Sequence, residues 1–410
     1  MVQLTVDIGG RPGLDCRGYC SYCYFRHTAK RDIPPFGCRY CLPFVKGCDY
    51  CSRGVKEEYT GFKPLRDVAD AVLADIQSIR GDITRITISG GGDPSCYPEF
   101  VDLIELLASL EAPLHIGYTS GKGFDDPGIA DLLIESGLSE ISFTVFSSDP
   151  ELRRKYMHDP TPEASLAILE RLAQEIDVYA ASVILPGVND GVILENTCRW
   201  LEERGVKGHI LMRFANATEQ GLILGNAPII PDQVVQTVEE FAAMVGSVAS
   251  KCSMKVSGTP LFDPEFGSPF AIRNEPDLLA RLPRVTGSAT VITGSVAAPF
   301  IREILQICGG GDVVPVTKEI ACLITADDLL PLDLRSLSTT VIIPGRSFVH
   351  LPEAESILSA DGKNRRVIRG PECLTADAET SMGMTRTGVL EMEFSGFSDL
   401  IRLINLYGAA

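Results

Sequence analysis

Three cysteines near the start of the chain are the first residues whose spacing suggests chemistry. Cys16, Cys20 and Cys23 follow the pattern C-x3-C-x2-C. Three thiolates can hold three irons of a [4Fe–4S] cube and leave the fourth iron open to a further ligand. Zinc is the alternative, because His27 or Cys38 would complete its tetrahedron. The spacing predicts a metal centre, and its place between a first strand and a βα array favours the iron–sulfur cluster.

A second set of cysteines follows within residues 34–54. Cys38, Cys41, Cys48 and Cys51 form two C-x2-C pairs that are separated by six residues. Four thiolates this close together form a tetrahedral cage for one metal ion, iron or zinc. A second iron–sulfur cluster is the alternative, but the short loop favours one ion. Because a closed four-ligand site has no open position for substrate, we expect this ion to be structural.

Composition limits the classes of function. The 410 residues carry a formal net charge of −17, which is the wrong sign for a broad nucleic-acid-binding surface. Thirteen cysteines indicate metal or redox chemistry rather than structural disulfides in a cytosolic protein. We find no apolar run long enough to span a bilayer and no signal-peptide pattern at the start. The sequence therefore predicts a cytoplasmic enzyme that binds neither nucleic acid nor membrane.

The chain from residue 1 to 257 alternates short β-branched runs with longer amphipathic stretches. Such alternation predicts βα units and a parallel sheet. About six units are too few for a closed barrel, so we expect an α/β fold with a partial (β/α)6 barrel. Its functional residues should lie where the strands end. The predicted strands are Gln3–Ile8, Arg85–Ser89, Leu114–Tyr118, Glu140–Phe146, Val178–Leu185 and His209–Phe214, with a short one near Met254–Ser257.

A second domain is expected after a Pro- and Gly-rich connection at residues 258–282. Residues 283–410 contain several short β runs and predict a C-terminal mixed α/β domain. The predicted strands there are Ala289–Thr293, Asp312–Val316, Ala321–Ile324 and Thr339–Ile343.

The first cysteine motif resembles that of the radical S-adenosylmethionine (SAM) superfamily. The superfamily also has a glycine-rich turn after the second strand, and the run Ser89–Pro94 resembles it. The resemblance implies that SAM chelates the open iron of the cluster. It implies a SAM site at the strand ends that contains Tyr22, Gly90, Gly91, Gly92, Asp93, Thr119, Ser120, Thr144, Leu185, Asn189 and Arg213. Tyr118, which ends the third strand, is predicted to be catalytic, as a fourth ligand of the cluster or in positioning substrate.

A closer resemblance is carried by the segments DCRGYCSYCYF, GCRYCLPFVKGCDYC, SGGGDPSCYPE, HIGYTSGKGF, LMRFANATEQGLIL and IPGRSFVH. Together they resemble the methanogenesis marker protein 10 family, which consists of cobalamin-dependent radical SAM methyltransferases. The resemblance implies methylation of an sp3 carbon of an arginine side chain in the α subunit of methyl-coenzyme M reductase. A 5′-deoxyadenosyl radical would remove the hydrogen, and methylcobalamin would supply the methyl group. An electron donor such as ferredoxin or flavodoxin is implied as a partner.

Cobalamin would bind in the C-terminal domain. Many cobalamin proteins bind cobalt through the histidine of a D-x-H-x-x-G signature, and none of the five histidines has that context. Binding without a histidine ligand is therefore expected. Leu323 is the candidate for an apolar residue at the cobalt, and a place in an ordinary strand core is the alternative for it.

Two other functions compete with this one. A radical SAM peptide maturase would use the extra cysteines for auxiliary clusters and would bind no corrinoid. A zinc-binding scaffold for the assembly of methyl-coenzyme M reductase would bind zinc at both cysteine sets and would not cleave SAM. Metal, sulfide and corrinoid analysis separates the three.

Overall fold

The computed structural model describes residues 2–27, 61–79, 81–260, 262–267 and 269–408. Its larger sheet has seven strands, all parallel and arranged in chain order. An open sheet of parallel strands joined by helices confirms the predicted α/β fold class. The strands are β1 (Val2–Asp7), β2 (Ile83–Ser89), β3 (Leu114–Thr119), β4 (Leu138–Thr144), β5 (Asp177–Ile184), β6 (Gly208–Arg213) and β7 (Lys255–Thr259).

Helices cover one face of this sheet. Their apolar side chains and those of alternate strand residues, such as Ile86, Ile116 and Ile141, form the largest buried core. This is the arrangement that parallel sheets require, because crossover helices return across the face of the sheet. The helices are α1 (Leu65–Ser78), α2 (Phe100–Ala108), α3 (Ile129–Glu135), α4 (Pro162–Ala173), α5 (Gly191–Glu203) and α6 (Val238–Ala249).

A second parallel sheet of four strands lies in the C-terminal part of the chain. The strands are β8 (Thr290–Thr293), β9 (Asp312–Pro315), β10 (Thr340–Ile343) and β11 (Arg366–Arg369). Their order in the sheet is β11-β10-β8-β9, and a separate hydrophobic core packs on each face of the sheet. The helices are α7 (Pro276–Arg281), α8 (Ala298–Ile307), α9 (Ala326–Leu329), α10 (Leu351–Leu358), α11 (Ala378–Met382) and α12 (Arg386–Tyr407).

The structure differs from the predicted elements at three places. The seventh strand, β7, pairs in parallel with β6 and extends the expected six-unit barrel by one strand. The prediction of a strand at Ala321–Ile324 was wrong, because Ala321–Leu323 forms a 3-10 helix. Strand β11 at Arg366–Arg369 was not predicted. No helix in the described part of the chain is both long and apolar enough to cross a membrane.

Helix α11 of the C-terminal part packs against the seven-stranded sheet. The carbonyl of Ala378 in α11 accepts a hydrogen bond from the Ser257 hydroxyl at 3.3 Å. The carbonyl of Ser381 accepts one from Lys255 Nζ at 2.6 Å. Met382 packs in a buried group with Ala181 and Ile210 of β5 and β6. Helix α11 is therefore hydrogen-bonded to β7 and packs against side chains of β5 and β6.

Candidate functional site

The loop that carries Cys16, Cys20 and Cys23 follows β1 in the sequence. It packs against the short helical segment Arg153–Met157, which follows β4. Cys16 Sγ accepts a hydrogen bond from the backbone N of Gly13 at 3.3 Å. Cys20 Sγ lies 3.6 Å from the carbonyl oxygen of Met157. The structure therefore places the cysteine loop at the carboxyl-terminal edge of the larger sheet, where functional residues were expected.

Burial raises the pKa of all three cysteine thiols. It is the largest cause that raises the pKa of Cys16 to about 12 and that of Cys23 to about 11, and it also raises the pKa of Cys20. The neighbouring carboxylate of Asp93 raises the pKa of Cys16 further, whereas Lys122 favours all three thiolates. Thiolates are what iron binds, so metal binding here would release protons. Cysteine thiolates are the soft donors that an iron–sulfur cluster takes, although no group of three His, Cys, Asp or Glu side chains in the described residues is arranged to hold a single metal ion.

The glycine-rich turn after β2 packs directly on the end of β1. The backbone N atoms of Gly91 and Gly92 donate to the carbonyl oxygen of Gly9 at 2.8 and 3.2 Å. A Cβ atom on Gly90 would stand 2.4 Å from that oxygen, so only glycine allows this approach. The backbone N of Asp93 donates to the carbonyl of Asp15 at 3.1 Å. The turn is therefore tied to the residue that precedes Cys16.

Asp93 brings together two predicted SAM residues from the end of β3. Its buried carboxylate accepts hydrogen bonds from Thr119 Oγ1 at 2.5 Å, from the backbone N of Ser120 at 2.8 Å and from the Ser120 hydroxyl. It also accepts from the backbone N and the hydroxyl of Ser95 at 3.0 and 2.7 Å. The carboxylate joins the ends of β2 and β3, which positions the turn.

Two buried cations beside the cysteine loop were missed in the sequence. Lys122 Nζ donates to the carbonyls of Gly18 and Met157 at 2.8 and 3.1 Å. Arg153, which is 0% exposed, pairs with Asp159 at 2.7 Å and donates to three carbonyls at the ends of β3 and β4. One of those carbonyls belongs to the predicted SAM residue Thr144, at 3.0 Å. The sequence gives little signal for them, because Lys122 stands three residues after the end of β3 and Arg153 nine residues after the end of β4.

An apolar group holds the loop from the other side. Tyr22 stacks on Phe146 with ring centroids 5.0 Å apart, and Leu185 packs in the same buried group. Asn189 Oδ1 accepts from the backbone N of Leu185 at 2.7 Å, and its Nδ2 donates to the carbonyl of Phe146 at 2.9 Å. The structure thus brings Tyr22, Leu185 and Asn189 together at the ends of β4 and β5.

Arg213 lies apart from these groups and faces the second sheet. Its guanidinium donates to the carbonyl of Gln236 at 2.9 Å and pairs with the carboxylate of Glu319. Burial lowers the pKa of Arg213. Arg213, which was predicted to bind SAM, therefore links the end of β6 to the C-terminal part of the chain through Glu319.

A cavity of about 390 Å³ lies between the two sheets. Residues at or just after the ends of β6, β7, β8, β10 and β11 line it, which makes it shared by both sheets. Its lining is mainly apolar and contains no histidine among the described residues. Leu323 and Cys322 belong to the lining. The lining includes the charged residues Arg213, Glu319, Arg346, Glu372 and Asp377.

The remaining predicted residues have different outcomes. Tyr118 packs against the buried group formed by Ala181, Ile210, Ala378 and Met382, and its predicted role stays a prediction. Cys38, Cys41, Cys48 and Cys51 lie outside the described residues.

A family model supports part of this interpretation. Residues 45–200 match the model described as the Radical SAM superfamily. The matched region contains the glycine-rich turn and strands β2 to β5, together with Cys48 and Cys51. It begins after Cys23, so the match does not decide which cysteines hold the cluster.

The chain is also similar to individual proteins and solved structures. The chain is 26% identical over 171 residues to GTP 3',8-cyclase of Trichormus variabilis, covering 39% of this chain and 47% of the relative. The chain spans about half the length of the curated relatives it matches. Streptococcus suis SuiB bound to its precursor peptide SuiA has a TM-score of 0.43 and 11% identity, covering 63% of this chain and 49% of SuiB. A radical SAM methyltransferase from Sphaerobacter thermophilus has a TM-score of 0.39 and 15% identity, covering 62% and 64%.

Proposed function

We propose that this chain, which contains a radical SAM superfamily domain, is a cobalamin-dependent radical SAM methyltransferase. Its substrate is an arginine side chain in the α subunit of methyl-coenzyme M reductase, methylated at an sp3 carbon. The substrate and the corrinoid rest on the sequence resemblance, and the geometry of the cavity supports a second cofactor. Cofactors of parallel α/β sheets bind outside the carboxyl ends of the strands.

The observation that carries the proposal is a cavity that lies between the ends of β6 and β7 of the larger sheet and the ends of β8, β10 and β11 of the smaller one. A reaction that uses two cofactors needs their reactive centres near one substrate, and this cavity lies between the two halves. A corrinoid has apolar ring faces and amide groups around its rim. The apolar lining with a few charged side chains suits such a ligand, and the absence of histidine from the described lining suits binding without a histidine on cobalt.

The residues of this chain divide into four roles. When bound, the cluster and SAM supply a 5′-deoxyadenosyl radical, and cobalamin supplies a methyl group. Cys16, Cys20 and Cys23 would hold the cluster, and the lack of side chains at Gly90, Gly91 and Gly92 would allow close approach of SAM. Tyr22 and its apolar neighbours exclude water from a site where a radical must survive. Leu323 would give an apolar contact on the corrinoid.

Anaerobic reconstitution with iron, sulfide and hydroxocobalamin tests the proposal. With a strong reductant present, we expect the reconstituted protein to bind one corrinoid and to transfer a deuterated methyl group from labelled SAM to the arginine of a substrate peptide. The measurement is the mass shift of that arginine after digestion. Extra cubane clusters without corrinoid would favour the peptide maturase. Zinc at both cysteine sets without SAM cleavage would favour the scaffold.

A further inference from the structure

Residues 216–226 follow β6 and form an irregular segment that hydrogen bonds and buried side chains restrain. We call it the partition segment. Asn216 Oδ1 accepts from the backbone N atoms of Ile229 and Ile230 at 2.7 and 3.0 Å. Asn216 Nδ2 donates to the carbonyl of Ile230 at 2.7 Å. Leu222 and Leu224 are buried. These hydrogen bonds and the burial of the two leucines restrain the segment.

One side of the partition segment is bonded to the cysteine loop. The hydroxyl of Tyr24, the residue after Cys23, donates to the carbonyl of Gly221 at 3.1 Å and accepts from the backbone N of Ile223 at 3.3 Å. Asn226 Nδ2 donates to the carbonyls of Tyr24 and Arg26 at 2.6 and 3.0 Å. The cysteine loop and the partition segment therefore share four hydrogen bonds.

The other side of the partition segment touches the lining of the cavity. The backbone N of Glu319 donates to the carbonyl of Glu219 at 2.7 Å. A Cβ atom on Gly221 would stand 2.7 Å from Cδ1 of Leu323, closer than any real contact. Gly221 also has φ +122°, which residues with side chains rarely adopt. A side chain at residue 221 would therefore require the flexible end of Leu323 to move.

We propose that the partition segment couples the two sites: Tyr24 fixes Gly221, and Gly221 determines how far Leu323 projects into the cavity. A displacement of the cysteine loop moves the Tyr24 hydroxyl, and the carbonyl of Gly221 follows it. Leu323 then gains or loses space against residue 221. That this coupling adjusts a corrinoid rests on the proposed function, whereas the coupling itself does not.

Hydrogen–deuterium exchange on the full chain tests the coupling without a corrinoid. Tyr24→Phe removes only the hydroxyl, and we expect the amides of residues 319–325 to exchange at least about threefold faster. Tyr97→Phe is the matched control, because its hydroxyl also donates to a backbone carbonyl, that of Lys63 at 2.9 Å, away from the cavity. Unchanged exchange at residues 319–325 in Tyr24→Phe, or equal changes in both variants, would overturn the proposal.

A double-mutant cycle tests the contact between Gly221 and Leu323. Gly221→Ala should weaken binding of hydroxocobalamin about fivefold or more, and the same substitution should have little further effect in a chain that already carries Leu323→Ala. The cycle separates the steric contact from backbone strain at residue 221, because strain would weaken binding equally in both chains. An equal loss in both chains would overturn this step of the proposal. If the unaltered protein binds no hydroxocobalamin, the corrinoid assignment fails. The same variants are then compared by the hydrogen–deuterium exchange rate of the amides of residues 319–325, which tests the contact without a corrinoid.

Discussion

The carboxylate of Asp93 accepts two hydrogen bonds from Ser120, one from its backbone N at 2.8 Å and one from its hydroxyl. These bonds join the glycine-rich turn after β2 to the end of β3. Because Thr119 and Ser95 also donate to this carboxylate, it is satisfied within the protein. Asp93 therefore holds the turn in place through the hydrogen bonds that its carboxylate accepts.

Replacing Asp93 by Asn should destabilise the protein by about 2–3 kcal/mol, because an amide nitrogen cannot accept hydrogen bonds from the donors around it. Chemical denaturation measures the loss. Asp126→Asn is the control, because Asp126 is exposed and its side chain accepts from Gly128 N at 2.9 Å, within two residues. Equal stability of the two variants would contradict the role given to Asp93.

Arg153 is expected to be the most sensitive cation of the site. Arg153→Met would leave the carboxylate of Asp159 and three carbonyls buried without their partner, a loss of about 3–5 kcal/mol. Arg154→Met is a neighbouring control, because Arg154 forms only exposed pairs with Glu151 and Glu163. The comparison is made by thermal unfolding, and a shift in Arg154→Met as large as that in Arg153→Met would show that burial is not the cause.

Stability should fall as the pH is lowered from 7 to 5.5. Burial, with a smaller contribution from Arg85, lowers the pKa of His115 to about 3, and burial lowers that of His209 to about 3. The unfolded chain therefore binds more protons than the folded chain below the usual pKa of 6.5, so each histidine removes about 1 kcal/mol of stability over this range. His115→Gln should flatten the pH dependence measured by denaturation. An unchanged slope would mean that His115 is charged in the folded protein.

The second cysteine set is expected to support folding rather than catalysis. Cys41→Ala should lower stability and remove one metal ion per chain, because a structural metal contributes its binding energy to folding. The electronic spectrum of the first cluster should change less than stability does. Metal analysis and thermal unfolding check both. Full stability together with the loss of a second cubane signal would show that the set holds a cluster.

The strands and the strand-end residues were predictable because local patterns determine them. Beta-branched runs such as Ile86–Ile88 have a strong preference for strands, and glycines must occupy turns where backbones approach closely. The grouping of Asp93, Thr119 and Ser120 followed, because parallel strands end at one edge.

Other features depend on contacts between distant segments. Ala321–Ile324 is short and apolar, and a run of that length does not distinguish a strand from a helical turn. The burial of Lys122 and Arg153 depends on carbonyls from several loops, which no local pattern reveals. The contact between Gly221 and Leu323 joins residues from the two halves of the chain. The partition segment could therefore be found only in the folded structure.

We expect Cys16, Cys20 and Cys23, rather than the second cysteine set, to hold the cluster that cleaves SAM. The most direct test compares Cys20→Ala with Cys48→Ala after anaerobic reconstitution, by measuring 5′-deoxyadenosine formed per folded chain under a strong reductant. We predict that Cys20→Ala forms none and loses the cubane resonance signal, whereas Cys48→Ala keeps that signal and cleaves SAM. Normal 5′-deoxyadenosine formation by Cys20→Ala would contradict the claim.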